Sequence, residues 1–504
     1  MMRISGLASG MDIDSMVTEL MKAKRASYDK MVQKRIAVEW AREDYRSLST
    51  KIVDFRNNKL TSYNMSNALQ AKKAELSGNT DSIVVNSATA SAAGSFDIEV
   101  TKVAQAARTV MKYTKPDGGP ELLEASLNDL GFEVDNDDKV NITINGKELT
   151  FAKDTKIKDL VTQINSDKTL KVTALASGDT ISITSTQTGK LEDGTELVEG
   201  FPTTAPSVLS VHTTSTRGNN ATVLVNGVEF SQESNQFSIN GFNFTAKSET
   251  GSKGASTITA VLDTDKIIST IKSFVNDYNT LIAAIDSELS EERYRTYLPL
   301  TDEQKKEMSE DEVKLWQEKA RSGSLRNDTA LSSYLSELRI ATHSLIYGID
   351  TGEKDSANNP IKKSVGITSG SYSEKGKLYL DEDALRKALD EDPSQVAELF
   401  TGTSNTSSAS TESGVFSKMM SSSMTILKNL SEKAGTSLTS TSESFSFLDN
   451  SLMSEQIRNM KTRETDMLAR LATAETNYYK VFTAMETAIN KYNSQSSSLS
   501  GFMS

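Results

Sequence analysis

The chain has 504 residues, of which 25% are charged and 37% apolar, and its net charge is −12. That length suits about three or four globular domains, and the acidic balance argues against a nucleic-acid partner because phosphate binding needs clustered lysine and arginine. The absence of cysteine excludes disulfides, thiol catalysis and cysteine-ligated zinc.

The charge is unevenly distributed, and the start of the chain shows no targeting signal. Residues 1–60 carry +4 and residues 441–504 carry −1, so the middle of the chain carries −15. The opening MMRISGLASGMDIDSM lacks the apolar stretch of a secretory signal peptide, and no apolar run approaches the length of a membrane span. These rules alone predict a cytosolic protein without membrane insertion.

The first predicted element is a long helix. From Ile13 to Phe55, positions alternately four and three residues apart are mostly apolar, which is typical of a coiled-coil seam. Lys24, Ser27 and Lys34 interrupt the spacing. The seam positions that we expect to pair with another helix include Ile13, Val17, Leu20, Met31 and Val38.

The middle of the chain is predicted to be rich in β-strands. The segments ITINGKELTF, VLVNGVEFSQ and FSINGFNFTA each place Asn-Gly between alternating apolar residues, which predicts three β-hairpins. The first hairpin is followed by an amphipathic helix with Ile157 and Leu160 on one face. Residues 114–215 are therefore predicted to form one β-rich module. The strands at 82–112 and 221–262 are predicted to form a second module, split around the first.

After Leu262 the chain is predicted to be helical again. Ile267, Phe274 and Ile285 belong to a run with four-and-three spacing, and a second run continues to Leu345. Further on, a hairpin is predicted to precede a helix capped by Asp381 and a helical turn that starts at Pro393. Ser/Thr-rich stretches at 401–414 and 436–446 are predicted linkers.

A polar segment at residues 299–328 lies between those two helical runs. Thr301 with Gln304, and Ser309 with Glu312, have the spacing of two capping boxes, so two short helices are predicted. Their apolar face is small and centres on Trp316. The segment is interpreted either as a surface that contacts another protein or as a solvated helical hairpin that covers the bundle.

The last predicted element is a helix that matches the first. From Met453 to Tyr492 the four-and-three spacing is kept, and only Glu464 breaks it. The expected pairing positions are Met467, Leu471, Tyr478, Val481, Met485 and Tyr492. Each terminal helix would be about 60 Å long, too long to bury its stripe in a small domain, so we predict that the two helices pair as a leg.

A self-contained coiled coil, such as a dimerisation stalk, is the alternative interpretation of these helices. The interrupted seams and the repeated methionines, which adapt to more than one partner surface, favour docking onto other helices. No candidate for catalysis stands out. The two histidines, His212 and His343, lack the neighbours of a metal or acid–base site, and the acidic run at 135–138 has Val140 where a calcium loop needs glycine. We therefore expect no enzyme activity, no metal and no cofactor.

Four blocks of the sequence, in order, resemble the flagellar filament cap family, also called flagellar hook-associated protein 2. They are SGLASGMDIDSMVTEL, then VNITINGKELTFAKDTKIKDLVTQIN, which is similar to a module of flagellins and hook proteins, then the polar segment at 299–328, and last VGITSG with GKLYLDEDALRKALDEDPSQVAELF. The resemblance spans nearly the whole chain, although residues 185–215 match nothing in particular.

The resemblance implies an extracellular protein at the distal tip of the flagellar filament, which replaces the cytosolic expectation. It implies export by the flagellar secretion system without a cleaved signal peptide, aided by an export chaperone. It also implies a homo-oligomeric ring, a pentamer, that promotes folding and insertion of flagellin, prevents flagellin loss and meets the hook-associated junction proteins. An extracellular adhesin on a flagellar appendage, or a hook–filament junction protein, is the alternative.

The expected fold is α+β and multidomain, with long terminal helices forming a coiled-coil leg, a helical bundle and two β-rich head domains inserted in the middle. The expected divisions are an N-terminal coil (1–42) paired with a C-terminal coil (446–504), a helical leg domain (43–77 with 263–445), an inner head (78–113 with 216–262) and an outer head (114–215). Thr301, Gln304, Ser309, Glu312 and Trp316 are expected in a contact with a neighbouring subunit or with flagellin.

Overall fold

The structure is a computed structural model that describes residues 12–65, 68–190, 197–199, 201, 208–212, 215–402 and 414–503. The chain divides into a helical unit, Met1–Leu69 with Thr264–Ser504, and a β-rich unit, Gln70–Asp263. Long helices near both ends and a β-rich middle confirm the predicted α+β fold class. Most of the predicted linker at 401–414 and much of the unmatched segment 185–215 lie outside the described residues.

The helices are numbered in chain order. They are α1 (Ile13–Asp54), α2 (Thr61–Tyr63), α3 (Ile157–Ser166), α4 (Thr264–Ser290), α5 (Asp302–Lys306), α6 (Glu310–Arg321), α7 (Thr329–Ala341), α8 (His343–Tyr347), α9 (Glu382–Glu391), α10 (Pro393–Thr401), α11 (Val415–Ala434) and α12 (Leu452–Met503). A π-helical turn, Phe55–Leu60, joins α1 to α2.

The strands of the β-rich unit are β1 (Lys72–Gly78), β2 (Ile83–Ala88), β3 (Ser95–Lys102), β4 (Ala106–Tyr113), β5 (Lys139–Ile144), β6 (Lys147–Ala152), β7 (Val172–Ser177), β8 (Thr180–Thr188), β9 (Val198–Glu199), β10 (Leu209–Val211), β11 (Ala221–Val225), β12 (Val228–Gln232), β13 (Gln236–Ile239), β14 (Phe242–Ala246) and β15 (Ser256–Leu262). The helical unit adds β16 (Ile349–Lys354), β17 (Pro360–Lys363), β18 (Ile367–Ser369) and β19 (Leu378–Leu380).

An aromatic cluster lies at the centre of the helical unit. The ring of Phe274 on α4 lies 5.0 Å from that of Phe416 on α11 and 6.0 Å from that of Phe400 on α10. The hydroxyls of Tyr334 on α7 and Ser423 on α11 are 2.7 Å apart, so this buried pair satisfies its own polar groups. The regularly spaced apolar residues of α4 thus lie in the core of the predicted helical bundle.

The β-rich unit contains two separate hydrophobic cores. In the first, a five-stranded sheet (β1-β15-β3-β11-β12) and a three-stranded sheet (β13-β14-β2) share buried residues such as Val223 and Phe244. In the second, a four-stranded sheet (β10-β4-β8-β7), a three-stranded sheet (β6-β5-β9) and helix α3 share residues such as Ile142 and Leu160. Each core is built from apolar residues that alternate along the strands.

The three Asn-Gly hairpins are confirmed. Asn145-Gly146, Asn226-Gly227 and Asn240-Gly241 all have positive φ at both positions, with φ of 47–50° at the asparagines and 78–83° at the glycines. Each pair connects two antiparallel strands: β5 with β6, β11 with β12, and β13 with β14. Positive φ at both central residues is what the two-residue hairpin turn requires.

Two expected boundaries of the head domains differ from the structure. The β-rich unit already includes β1, because Lys72–Gly78 pairs along its whole length with β15. Likewise β4, expected in the inner head, pairs with β8 and places Met111 and Tyr113 in the second core. Strand partners far away in the chain decide both memberships, and local composition does not reveal them. The other divisions stay predictions.

Candidate docking site on the terminal helices

Helices α1 and α12 pack against each other along the predicted seam and run antiparallel. Near the start of α1, Ile13 and Val17 are buried against Phe482 of α12, and Met485 packs at the edge of this cluster. The hydroxyl of Tyr479 donates to the Asp14 carboxylate at 2.9 Å in the same region. The two ends of the chain therefore pair with each other, as their matching periodicity predicts.

Two of the expected pairing positions lie off the contact between the described parts of the helices. Leu20 is 40% exposed and Val481 is 64% exposed, whereas their chain neighbours Met21 and Phe482 take part in the buried cluster. A straight α-helix has 3.6 residues per turn, so positions in a strict seven-residue repeat drift around its surface. The buried stripe therefore takes a four-residue step, to Met21 and Phe482, where the repeat expects a three-residue step to Leu20 and Val481. The structure therefore places Leu20 and Val481 beside the buried stripe and not in it, and their expected part in filament docking or helix pairing stays a prediction.

Tyr492 is 71% exposed. In the register that joins Arg35 to Glu464, the position opposite Tyr492 would fall among residues 1–11, which lie outside the described residues. The remaining expected positions on the two helices are half-buried: Met31, Val38, Met467, Leu471, Tyr478 and Met485.

The one break in the C-terminal seam forms a buried ion pair. Glu464 is only 8% exposed, and its two carboxylate oxygens share the single Nε–H of Arg35 at 2.8 and 3.0 Å. Burial opposes the charge on Arg35, but the hydrogen bonds and charges of Glu464 and Glu39 outweigh it and raise the pKa of Arg35 above its ordinary value. The four-and-three pattern of α1 skips Arg35, so the sequence offered no signal for this contact.

Both predicted capping boxes of the polar segment are confirmed. Thr301 accepts from the backbone N–H of Gln304 at 3.4 Å, and the Gln304 side chain accepts from the N–H of Thr301 at 2.9 Å. Ser309 and Glu312 exchange the same two bonds at 3.4 and 2.9 Å. The hydrogen bonds from Ser309 lower the pKa of the Glu312 carboxyl. Helices α5 and α6 are thus short but well-defined; together with residues 299–301, 307–309 and 322–328 we call them the polar hairpin.

The polar hairpin contacts helix α1 of its own chain. Arg25 forms an ion pair with Glu303 at 2.5 Å, and Gln33 donates a 3.4 Å hydrogen bond to Gln304. At the other end of the hairpin, Arg321 lies 2.5 Å from Asp44. These contacts favour the interpretation of a hairpin that covers the helical unit. A contact with a neighbouring subunit or flagellin stays a prediction.

Trp316 connects the polar hairpin to the segment before it. Its indole N–H donates to the carbonyl of Leu298 at 2.8 Å, and its ring lies 4.7 Å from that of Tyr297. The ammonium of Lys319 lies 5.0 Å from the Tyr297 ring. Leu298 and Leu315, beside this cluster, remain exposed. Trp316 therefore has a structural role within the chain, and an apolar surface remains next to it.

Elsewhere, the sequence features considered for chemistry have ordinary structural roles. Asp135 accepts hydrogen bonds from the backbone N–H groups of Asp137 and Lys139, both at 2.9 Å, which is an Asx-type turn. His343 begins α8, and its ring lies 5.6 Å from that of Tyr347. Within the described ranges, no three His, Cys, Asp or Glu residues are grouped to hold a metal ion. No helix in that part of the chain is long and apolar enough to cross a membrane.

Within the described residues, long helices near both ends of the chain pair with each other, and a β-rich unit lies between them in the sequence. Residues 9–107 match the family described as flagellar hook-associated protein 2 N-terminus, and residues 218–494 match the family described as flagellar hook-associated protein 2 C-terminus. The chain therefore belongs to the flagellar hook-associated protein 2 family. This is a family of structural flagellar proteins and not of enzymes.

Individual relatives cover most of the chain. A flagellar hook-associated protein 2 of Halalkalibacterium halodurans is 29% identical over 99% of both chains. A B-type flagellar hook-associated protein 2 of Pseudomonas aeruginosa is 22% identical over 86% of this chain and 83% of its own length. Among solved structures, the D1–D2–D3 domains of the flagellar cap protein FliD from Escherichia coli match 83% of this chain and 99% of their own length, at 21% identity and a TM-score of 0.48.

Proposed function

We propose that this protein caps the distal end of the bacterial flagellar filament. In this proposal several copies form a ring outside the cell, promote the folding and insertion of exported flagellin, prevent its loss and allow the filament to elongate. The observation that carries the proposal is the similarity to a flagellar hook-associated protein 2 over 99% of both chains, since it includes the terminal helices as well as the middle. The protein would leave the cell through the flagellar secretion system, with an export chaperone.

The terminal coil of α1 and α12 is the proposed docking site on the filament or on the junction proteins at the hook. Its inner seam, which includes Val17 and Phe482, holds the two helices together. Met16, Leu20 and Val481 add exposed apolar side chains at the same end of the coil. Exposed apolar groups on a coiled coil suit packing against further helices. We therefore assign pairing to the inner seam and docking to the exposed face.

The β-rich unit is the proposed site of contact between copies in the ring. Its edge strand β12 is exposed at all five residues, and Val228 and Phe230 lie opposite the buried Val225 and Val223 of β11. Side chains on directly opposite residues share one face of a sheet. Val228 and Phe230 therefore lie on the same face of the sheet as the buried core residues of β11, but they are exposed. For the polar hairpin, we assign contact with a neighbouring copy or with flagellin to the surface around Leu298 and Leu315.

A clean deletion of the gene in the native strain tests the proposed function. We expect hooks without filaments by electron microscopy and unpolymerised flagellin in the culture medium. Expression of the wild-type chain from a plasmid should restore filaments, which controls for effects on neighbouring genes. Normal filaments on the deletion strain would show that the protein is not the cap, and attached filaments with lost surface adhesion would favour an adhesin.

A further inference from the structure

The two ends of the polar hairpin are held to α1 by contacts of very different strength. At the end of α6, Arg321 donates to Asp44 through Nε at 3.1 Å and Nη2 at 2.5 Å, and it lies 3.1 Å from Glu43. Ser324 also donates to the Asp44 carboxylate. Most of the Asp44 side chain is buried, whereas that of Arg321 is 42% exposed, so Asp44 accepts several charge-assisted hydrogen bonds at a partly shielded position.

The same end of the hairpin is also tied to the segment that directly follows helix α4. The backbone N–H of Gly323 donates to the Glu291 side chain at 2.7 Å, and Arg326 donates to the carbonyl of Glu291 at 2.8 Å. The Ser322 hydroxyl donates to the carbonyl of Glu292 at 2.5 Å. This end of the polar hairpin is therefore anchored to α1 and to the segment that follows α4.

At the α5 end the side-chain contacts with α1 are few and exposed, while Leu300 and Thr301, which lead into α5, are themselves buried. Arg25 and Glu303 are both substantially exposed, and exposed ion pairs of this kind contribute little to stability because water and salt screen them. The hydrogen bond from Gln33 to Gln304 is long, at 3.4 Å, and the acceptor atom is shared with the capping box. Helix α5 has five residues and no buried side chain.

Asp29 on α1 is in an unfavourable environment near the contact between α5 and α1. Its Oδ1 is buried and has no hydrogen-bond partner among the described residues. A buried acceptor without a partner is unfavourable compared with the same atom in water. Burial raises the pKa of Asp29, the charge of Arg25 opposes that increase, and the charge of Glu303 on α5 adds to it. The charge of Glu303 on α5 therefore disfavours ionisation of Asp29 on α1.

We propose that α5 is a detachable clasp on α1, hinged at the anchored end of α6. In the closed state Arg25, Gln33 and their partners hold α5 against the leg. In the released state α5 lifts away while Arg321 stays on Asp44. The hairpin then braces α1 at Asp44 alone instead of along the 19 residues back to Arg25, which is about 28 Å of helix. The clasp therefore determines the length of α1 that the polar hairpin braces. The proposal concerns the helical unit and holds whether or not the protein is a filament cap.

Distance measurements on the full-length chain test the clasp. The chain has no cysteine, so two introduced cysteines take spin labels specifically. Labels at the exposed positions Lys22→Cys and Lys306→Cys report the α5 contact. Labels at the exposed positions Lys51→Cys and Lys319→Cys report the anchored end and serve as the matched control.

For the first pair we expect a short distance and a longer one in the same sample. Raising the salt to about 1 M, where the screening length is short, should increase the ratio of longer to shorter distance about threefold. Glu303→Arg should increase that ratio further because it sets two cations against each other. Arg25→Glu with Glu303→Arg should restore the short distance. Asp29→Asn should also favour the short distance.

The control pair should keep one distance under all these conditions. If the first pair keeps a single distance in both salts and in Glu303→Arg, α5 is a fixed part of the leg and the clasp is wrong. If both pairs change together, the hairpin detaches as a whole and the hinge at Asp44 is wrong. If the double charge swap does not restore the short distance, the pair Arg25–Glu303 does not hold the clasp closed.

Discussion

Arg35 of α1 and Glu464 of α12 form an ion pair across the terminal coil, in which the Nε–H of Arg35 is shared between the two carboxylate oxygens at 2.8 and 3.0 Å. Both side chains are largely buried, and Glu39 accepts a further 2.7 Å bond from the same guanidinium. A polar pair inside an apolar seam has one register in which both partners are satisfied. The pair therefore specifies how far α12 slides along α1.

Removing one partner of this pair should destabilise the coil more than removing both. Glu464→Leu leaves the Arg35 charge without its main partner in the seam, and we expect a loss of about 3 kcal/mol in the free energy of unfolding. Arg35→Met with Glu464→Leu replaces the pair by apolar groups and should recover most of that loss. Denaturant unfolding of the single and double variants gives the coupling energy. Additive effects of the two substitutions would mean that the ion pair is not coupled.

The break at Glu464 shows where prediction from the sequence stops. Spacing along α12 identifies Glu464 as an exception, but its partner lies 429 residues away in the chain. Leu20 and Val481 lie beside the buried stripe because helical drift shifts that stripe by one residue, which a fixed repeat does not show. By contrast, the hairpin at Asn226-Gly227 and the cap at Ser309 depend on a few adjacent residues, and both were predicted correctly. The position of β1 in its sheet depends on a strand far away in the chain, and it was not predicted correctly.

Asp328 should make the stability of the helical unit sensitive to acid. It caps α7 and accepts hydrogen bonds from Lys433 and Tyr45, both at 2.7 Å, and from the N–H of Leu331 at 3.0 Å. Burial opposes its ionisation, but these hydrogen bonds outweigh that effect and hold the pKa of Asp328 below its ordinary value. A lowered pKa in the folded state means that the contribution is present above about pH 4 and is lost as the pH falls further.

Unfolding measured from pH 7 to pH 2 for the wild type and Asp328→Asn checks this prediction. The wild type should be the more stable at neutral pH, and the difference should shrink as the acid protonates Asp328. Glu382→Gln is the control, because it neutralises an exposed carboxylate at the start of α9 and should change stability little at any pH. A difference between wild type and Asp328→Asn that stays constant with pH would show that the ionised form of Asp328 is not what stabilises the fold.

The capping box of α6 should protect the first turn of that helix. Ser309→Ala removes the hydroxyl that accepts from the N–H of Glu312 at 3.4 Å. Loss of a serine cap costs about 1 kcal/mol, so amide hydrogen exchange in the first turn of α6 should accelerate about fivefold. Ser273→Ala, on the exposed face of α4, is the matched control and should leave α6 unchanged. Equal exchange in Ser309→Ala and the wild type would mean that contacts with α1 alone hold this turn.

Two adjacent residues of α12 separate pairing of the terminal helices from docking onto a partner. Phe482 is 8% exposed and packs on Ile13 and Val17, whereas Val481 is 64% exposed. Phe482→Ala should loosen the coil and lower its stability by about 3 kcal/mol. Val481→Asp should leave the coil intact, since its side chain lies in water in the single chain.

The proposed docking face predicts that Val481→Asp impairs filaments although it leaves the coil intact. Val481→Asp places a charge on the face that would be desolvated against a partner helix, so cells should export the protein yet carry short or absent filaments. Val481→Ala, which keeps the position apolar, should allow longer filaments than Val481→Asp. Circular dichroism and protease digestion of the purified variants establish that the coil is intact, and electron microscopy of complemented deletion cells gives filament length. Normal filaments with Val481→Asp would show that the exposed face of the coil does not dock, and pairing would then be the only role of this end of α12.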